Sequence, residues 1–211
     1  MLVQTLDDKQ HCVGIYNDGK LIYNCEEFDF DAVTATWNYN PLFAQNGTVI
    51  ASLLVPGKTL DEVCPDFLRH RWAAINARLR AFYKSFATSK ISLDINCFYD
   101  LVPQRFLLEY CEIKNKITQY VIETYAKPAN YDFMRNLAKF TYEIRQNKLN
   151  IDYSEIARES HQLKVRNFIK KSKHIKPYIS YNMYGTKTGR MTTRKGYFPI
   201  LTLDGDYRSI L

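Results

Sequence analysis

The chain has 211 residues, 46% of them hydrophobic, which is enough for one large domain or two small ones and excludes a disordered tail. Its opening MLVQTLDDKQ has neither a basic nor an apolar leader region, and its longest apolar run, Ile50 to Val55, is far too short to span a bilayer, so a soluble, intracellular, cytoplasmic protein with no membrane partner is expected. The net charge of +7 is local: residues 1–160 hold 18 Lys/Arg against 20 Asp/Glu, whereas residues 161–203 hold 10 Lys/Arg and no acid. A segment of that kind repels itself unless a polyanion lies against it, so nucleic acid is the expected partner, with a solvated basic face as the alternative.

The five cysteines, Cys12, Cys25, Cys64, Cys97 and Cys111, are odd in number and never spaced as CxxC. Neither a disulfide framework nor a zinc site is indicated, and reduced, mostly buried thiols are expected. His11, His70, His161 and His174 lack the i, i+4 spacing of helical metal ligands, so no metal is assigned to them.

The first sixty residues read as β-rich. Val13 to Tyr16 and Leu21 to Tyr23 flank Asn17-Asp18-Gly19-Lys20, whose Asp-Gly pair suits a tight hairpin turn. Asp29 and Asp31 read either as paired metal-binding carboxylates or as solvent-facing acids on an alternating strand, and no spacing picks out a third acid. Thr34 to Tyr39 and Thr48 to Val55 are further strand candidates, separated by Asn40-Pro41 and Asn46-Gly47. Pro56-Gly57-Lys58-Thr59 resembles the end of a P-loop, but the position that needs Gly is Ser52, which leaves a strand-to-helix turn.

From about residue 65 the period becomes helical. Leu68, Trp72, Ile75, Leu79, Phe82 and Phe86 form one stripe of a helix starting near Pro65-Asp66. Phe106, Tyr110, Ile113, Ile117 and Tyr120 form a second stripe after Pro103, and Phe133, Leu137, Phe140 and Ile144 a third after Lys127-Pro128-Ala129-Asn130. The short breaker predicts an antiparallel helix hairpin over 104–147 with its aromatics in the core. A further helix is expected from Asp152 to about Lys173, with a basic polar face that includes Lys170, Lys171 and Lys173. Past Pro177 the text turns extended and Tyr-rich.

The segment Thr186-Lys187-Thr188-Gly189-Arg190 sets small residues and a Gly where backbone must approach a partner closely, then an Arg able to fork two donors onto phosphate. Met191-Thr192-Thr193-Arg194-Lys195 adds hydroxyls and two cations, a mixture that suits a sugar-phosphate backbone. No Ser/His/Asp or Cys/His arrangement stands out, and no catalytic residue is assigned.

Thr188-Gly189-Arg190-Met191-Thr192-Thr193 resembles the TGRLSS signature of family A DNA polymerases, in the style of phage-encoded members, and Tyr181 to Thr186 stands where that family has the strand leading into it. Asp206-Tyr207-Arg208-Ser209-Ile210 is similar to the family's run ahead of its first catalytic motif. The resemblance covers roughly thirty residues, its type, order and spacing agreeing together. It implies that the 104–147 pair is a thumb holding primer-template DNA, that Arg190 contacts DNA near the primer terminus, and that Thr188, Gly189, Thr192 and Thr193 line the same surface.

Two departures qualify the likeness. Gly196-Tyr197-Phe198-Pro199-Ile200 replaces the family's Asn-Leu-Gln-Asn-Ile-Pro run, so its DNA-touching amides are missing, and no Asp-x-Glu follows an apolar strand to suggest proofreading. The family's metal-binding aspartates would follow Leu211, so the chain is expected to be inactive alone, as a truncation, a fragment or one half of a split polymerase. Mg²⁺ and the dNTP would be bound by that missing C-terminal part.

The expected fold is α+β: a β-rich region over 1–62, a helical region over 63–175 with the thumb-like hairpin, and the first strands of a right-hand palm over 176–211. The expected function is part of a DNA-directed DNA polymerase that binds primer-template DNA in replication, in the host cytoplasm if phage-encoded. A stand-alone nucleic-acid-binding accessory protein is the alternative.

Overall fold

The computed structural model describes all residues except Gln10, Gln45, Asn46 and Lys187. The fold is α+β, and the chain divides into two compact units, Met1–Arg135 and Asn136–Leu211. This differs from the expected regions 1–62, 63–175 and 176–211, because the strands and the first long helices share one core.

The first unit is built on a mixed five-stranded sheet in the order β3-β2-β1-β4-β5. Strands β1 (Leu2–Asp8), β2 (His11–Asn17) and β3 (Lys20–Ile22) are antiparallel, while β4 (Ala35–Thr36) and β5 (Val49–Ile50) add in parallel to β1. The β2–β3 turn is the one expected, with Asp18 at φ 42° and Gly19 at φ 79°, both in the left-handed region of a type I′ turn. Against one side of the sheet Val3, Ile15, Phe28, Val33 and Phe43 form a core.

The predicted strands over 34–39 and 48–55 shrink to two residues each, the second running into a 3-10 turn at Ala51–Leu53. The alternating strand expected around Asp29 and Asp31 is absent. Those residues lie at a 3-10 turn, Phe30–Ala32, where the Asp29 carboxylate accepts the Asp31 N–H (3.1 Å) and so favours a turn over an extended chain.

The Pro56-Gly57-Lys58-Thr59 turn leads into α1 (Leu60–Val63), the helix side of the expected connection, but it is entered from the 3-10 turn Ala51–Leu53 rather than from a strand. The Glu62 carboxylate accepts both the Thr59 N–H (2.6 Å) and the Thr59 hydroxyl (2.8 Å), which satisfies the helix start internally.

Helix α2 (Asp66–Thr88) begins after Pro65 and buries Leu68, Trp72, Ile75 and Phe86, four of the six residues in its predicted stripe. The short α3 (Phe98–Leu101) precedes α4 (Gln104–Thr124). Helix α4 packs against β1, β2, α1, α2 and the 3-10 turn at Ala51–Leu53. Ring contacts run antiparallel along α2 and α4: Phe67 with Tyr120, Trp72 with Tyr110 and Phe82 with Phe106.

The aromatic helix pair is therefore α2 with α4 rather than the expected hairpin of 104–147. Helix α4 carries a second buried stripe, Leu107, Cys111, Lys114, Thr118 and Val121, whose Thr118 side chain meets the sheet at Gln4. A helix buried on two sides is consumed by the sheet and by α2.

The division of the chain falls within α5 (Tyr131–Gln146). Its predicted stripe is also corrected: Phe133 is 67% and Phe140 54% exposed, whereas Tyr131, Met134 and Ala138 are buried. The Tyr131 hydroxyl accepts the Ile50 N–H (2.8 Å) and Arg135 donates to the Ala44 carbonyl, polar bonds that set the rotation of the first turns against the apolar pattern.

In the second unit the single helix expected over 152–173 is two helices, α6 (Ser154–Ala157) and α7 (Leu163–Ser172). Ile156 and Val165 are buried in one core, yet nine residues of continuous helix turn through about two and a half revolutions and would place them on opposite sides. The break at 158–162 allows both to face inward. Phe198, Leu203, Tyr207 and Ile210 complete that core, with Phe168 stacked on Tyr207 at 4.8 Å. Two short strands, β6 (Tyr181–Asn182) and β7 (Thr192–Thr193), pair antiparallel. Among the described residues no helix is long and apolar enough to cross a membrane.

Candidate nucleic-acid interface

The hairpin of β6 and β7 presents the TGRMTT segment. Its register pairs Tyr181 with Thr193 and Asn182 with Thr192, and the Arg194 N–H donates to the Ser180 carbonyl (2.8 Å) to close its base. Within the loop Thr186 acts as a clasp: its Oγ1 accepts the Arg190 N–H (2.9 Å) and donates to the Arg190 carbonyl (2.9 Å), while its own carbonyl accepts the Gly189 N–H (3.3 Å). Gly189 sits at φ 74°, in the left-handed region that favours glycine.

With its backbone held on both sides, Arg190 is exposed, and its guanidinium has no partner among the described residues. Thr188 and Gly189 are exposed beside it. Thr192 and Thr193 are half-buried, the Thr192 side chain lying against the backbone of Gly185 across the hairpin and the Thr193 hydroxyl enclosed without a hydrogen-bond partner among the described residues. These two threonines shape the hairpin more than they display donors. Arg194 and Lys195 are exposed, and Arg194 Nε donates to the Tyr181 carbonyl (3.2 Å), which steadies its stem. Lys187 lies outside the described residues.

Helix α7 contributes the other cations. Val165 and Ser172 are buried on its inner face and Phe168 and Ile169 half-buried, so that Arg166, Lys170 and Lys171 fall on the solvent side with Lys173 just past the helix end. Lys170 and Lys171 occupy the last turn, where cations are stabilised by the partial negative charge of the unpaired carbonyls. Lys164 is drawn instead to Asp204 (2.6 Å), which holds the lysine above and the carboxyl below their ordinary pKa values.

Backbone pairing brings the two sets of cations together. Lys176 bridges Tyr197 and its N–H donates to the Gly196 carbonyl (3.1 Å), tying the segment just past α7 to the segment just past β7. Lys173 and Lys195 therefore flank one bridge. In the same segment past α7, Tyr178 is bridged by Lys148, and the Leu149 N–H donates to the Pro177 carbonyl (2.8 Å). Lys148 is exposed there, a cation that sequence reasoning missed because only a long-range bridge brings it near the basic segment.

Comparison with known proteins places the chain beside none of them. No protein-family model, curated protein or solved structure matches it. The interface is therefore defined by its own chemistry. Asn136–Leu211 carries 15 Lys/Arg against 6 Asp/Glu, a net +9, while Met1–Arg135 carries 14 against 16, a net −2. An arrangement of exposed Arg and Lys around a clasped loop with open backbone has the chemistry to receive anionic oxygens through charge and hydrogen bonds. Among the described residues no cluster of three or more His, Cys, Asp or Glu is placed to hold a metal ion.

Proposed function

We propose that this chain binds primer-template DNA as the DNA-holding part of a family A DNA polymerase, with the β6–β7 hairpin and α7 as its contact surface. The observation that carries the reading is the exposed Arg190 on the Thr186 clasp, inside a segment whose order of residues resembles that family's signature. The acid-free charge of residues 161–203 supports it, because ten cations without an acid favour a phosphate backbone over a neutral ligand.

The roles divide by residue. Arg190 forks onto a phosphate or a base edge, Lys170, Lys171, Lys173 and Lys195 supply charge, and Thr188 and the backbone at Gly189 position the sugar-phosphate chain. Arg194 approaches the same backbone from a stem already fixed on Tyr181. No residue of this surface is given a catalytic role in the reading. A stand-alone accessory protein would use the same surface.

The test is the affinity of the full chain for a labelled primer-template duplex. Arg190→Ala is expected to weaken binding about tenfold, as for loss of one forked contact. Unchanged affinity of that variant would overturn the reading.

A further inference from the structure

We propose that the solvent face of α2 is a second contact for a nucleic-acid phosphate backbone, carried by Met1–Arg135 and independent of the hairpin and α7. Residues 67–93 hold six Lys/Arg and one His with no acid, between Asp66 and Asp94. The near-neutral balance of residues 1–160 conceals this stretch, whose acids lie elsewhere.

The fold sorts those cations. Arg71 and Arg78 turn toward α4, where they meet Glu112 (3.9 Å) and Glu109, and Arg78 also lies over the Phe106 ring at 5.0 Å. Arg69 pairs with Asp66 at the helix start (2.8 Å). Arg80 and Lys84 are exposed, one turn apart, and have no acid within 4.0 Å among the described residues. His70 extends the same solvent side toward the N-terminal end, so the face runs about 21 Å along the helix, the rise of some six nucleotides on one strand.

Nucleic acid fits this face better than an acidic protein does. Protein interfaces are anchored by aromatic or aliphatic side chains in a desolvated centre. The centre of this face is Ala73, Ala77 and Ala81, all exposed, while the exposed rings of Phe67 and Tyr83 at its margins are taken up by Tyr120 and Phe98. Charge without an apolar anchor is what a sequence-independent phosphate contact requires.

The experiment compares the full chain with its Arg80→Ala/Lys84→Ala variant on a labelled DNA duplex, together with acetylation of lysines in the free and DNA-saturated protein. Both residues are exposed, so the thermal melt of the variant should match the parent. Ala77→Glu, which sets an acid in the middle of the face, gives a second variant with the helix intact. Binding should weaken about tenfold in the double variant, and the slope of log affinity against log salt should fall in magnitude by about 1.8, two phosphates at 0.9 each. Ala77→Glu should weaken it too, and bound DNA should protect Lys84 from acetylation.

Unaltered affinity and slope in both variants, with Lys84 equally labelled in free and bound protein, would overturn the proposal. So would binding to poly-glutamate that depends on Arg80 and Lys84 while duplex binding does not. Protection of Lys84 without protection of Lys170 and Lys171 would sustain this contact and count against the hairpin and α7. The reverse pattern would sink this contact alone.

Discussion

At position 185 a side chain has no room. A Cβ there would lie within 3.0 Å of the Oγ1, Cγ2 and Cβ atoms of Thr192, so Gly185→Ala must push the opposite strand away. We expect it to destabilise the second unit by about 1–3 kcal/mol, the usual cost of overpacking, and to weaken DNA binding with it. Chemical denaturation and duplex titration measure the two effects. Gly189→Ala differs, because open space surrounds that residue and only its φ of 74° penalises a side chain, at about 1–2 kcal/mol.

Lys114 is the other residue with a sharp expectation. It is 7% exposed on α4, and burial lowers its pKa from 10.5, with Cys111 and Asp7 opposing the shift. Because the folded protein disfavours the charged amine, the unfolded chain binds more protons between the lowered pKa and 10.5, and the Lys114 contribution to stability rises with pH through that window. Lys114→Met removes the burden, so it should be more stable than the parent at neutral pH by about 1–2 kcal/mol. The difference should narrow as pH approaches 10.5. A stability difference that is absent at pH 7 or widens with pH would refute the assignment. Measuring the difference matters, since Cys111, pushed up to about 11 by burial, titrates in the same range with the opposite sign.

At the scale of elements, α2 and α4 are joined by ring contacts, Trp72 stacked on Tyr110 and the Phe67–Tyr120 and Phe82–Phe106 pairs edge-to-face. Trp72 is buried, stacks on Tyr110 at 6.0 Å and donates to Asp61, so Trp72→Ala should cost about 3–5 kcal/mol by denaturant titration. A loss below 1 kcal/mol would mean that the stripe is not the seam. This stripe was legible in the sequence because α2 buries one face and repeats every three or four residues. The β2–β3 turn was legible through Asp18-Gly19.

Other elements hid their positions for physical reasons. β1 buries Gln4 and Thr5, with Gln4 donating to Asn115 (3.0 Å) and Thr118 (3.1 Å), so its polar letters disguise a central strand. In α4 the second buried stripe contains Lys114 and Thr118 and does not read as apolar. The α5 stripe was misassigned because polar anchors at Tyr131 and Arg135, rather than Phe133 and Phe140, orient its first turns. The break between α6 and α7 follows from a shared core that local periodicity does not encode.

Across the whole molecule the charge separates with the fold, −2 on one unit and +9 on the other. The proposed hairpin site was legible as a candidate because its residues are consecutive. Lys148 and the solvent face of α2 were not, the first joining only by a bridge to Tyr178 and the second masked by acids that α4 and the loops carry elsewhere. The most direct measurement is the affinity of the full chain for primer-template DNA between about 50 and 200 mM salt. Log affinity should fall linearly with log salt, by about 0.9 for every phosphate contacted, and Lys170→Ala/Lys171→Ala/Arg190→Ala should flatten the slope by close to three such steps. Absent binding at the lowest salt, or binding indifferent to salt and to those three residues, would contradict a phosphate-backbone interface.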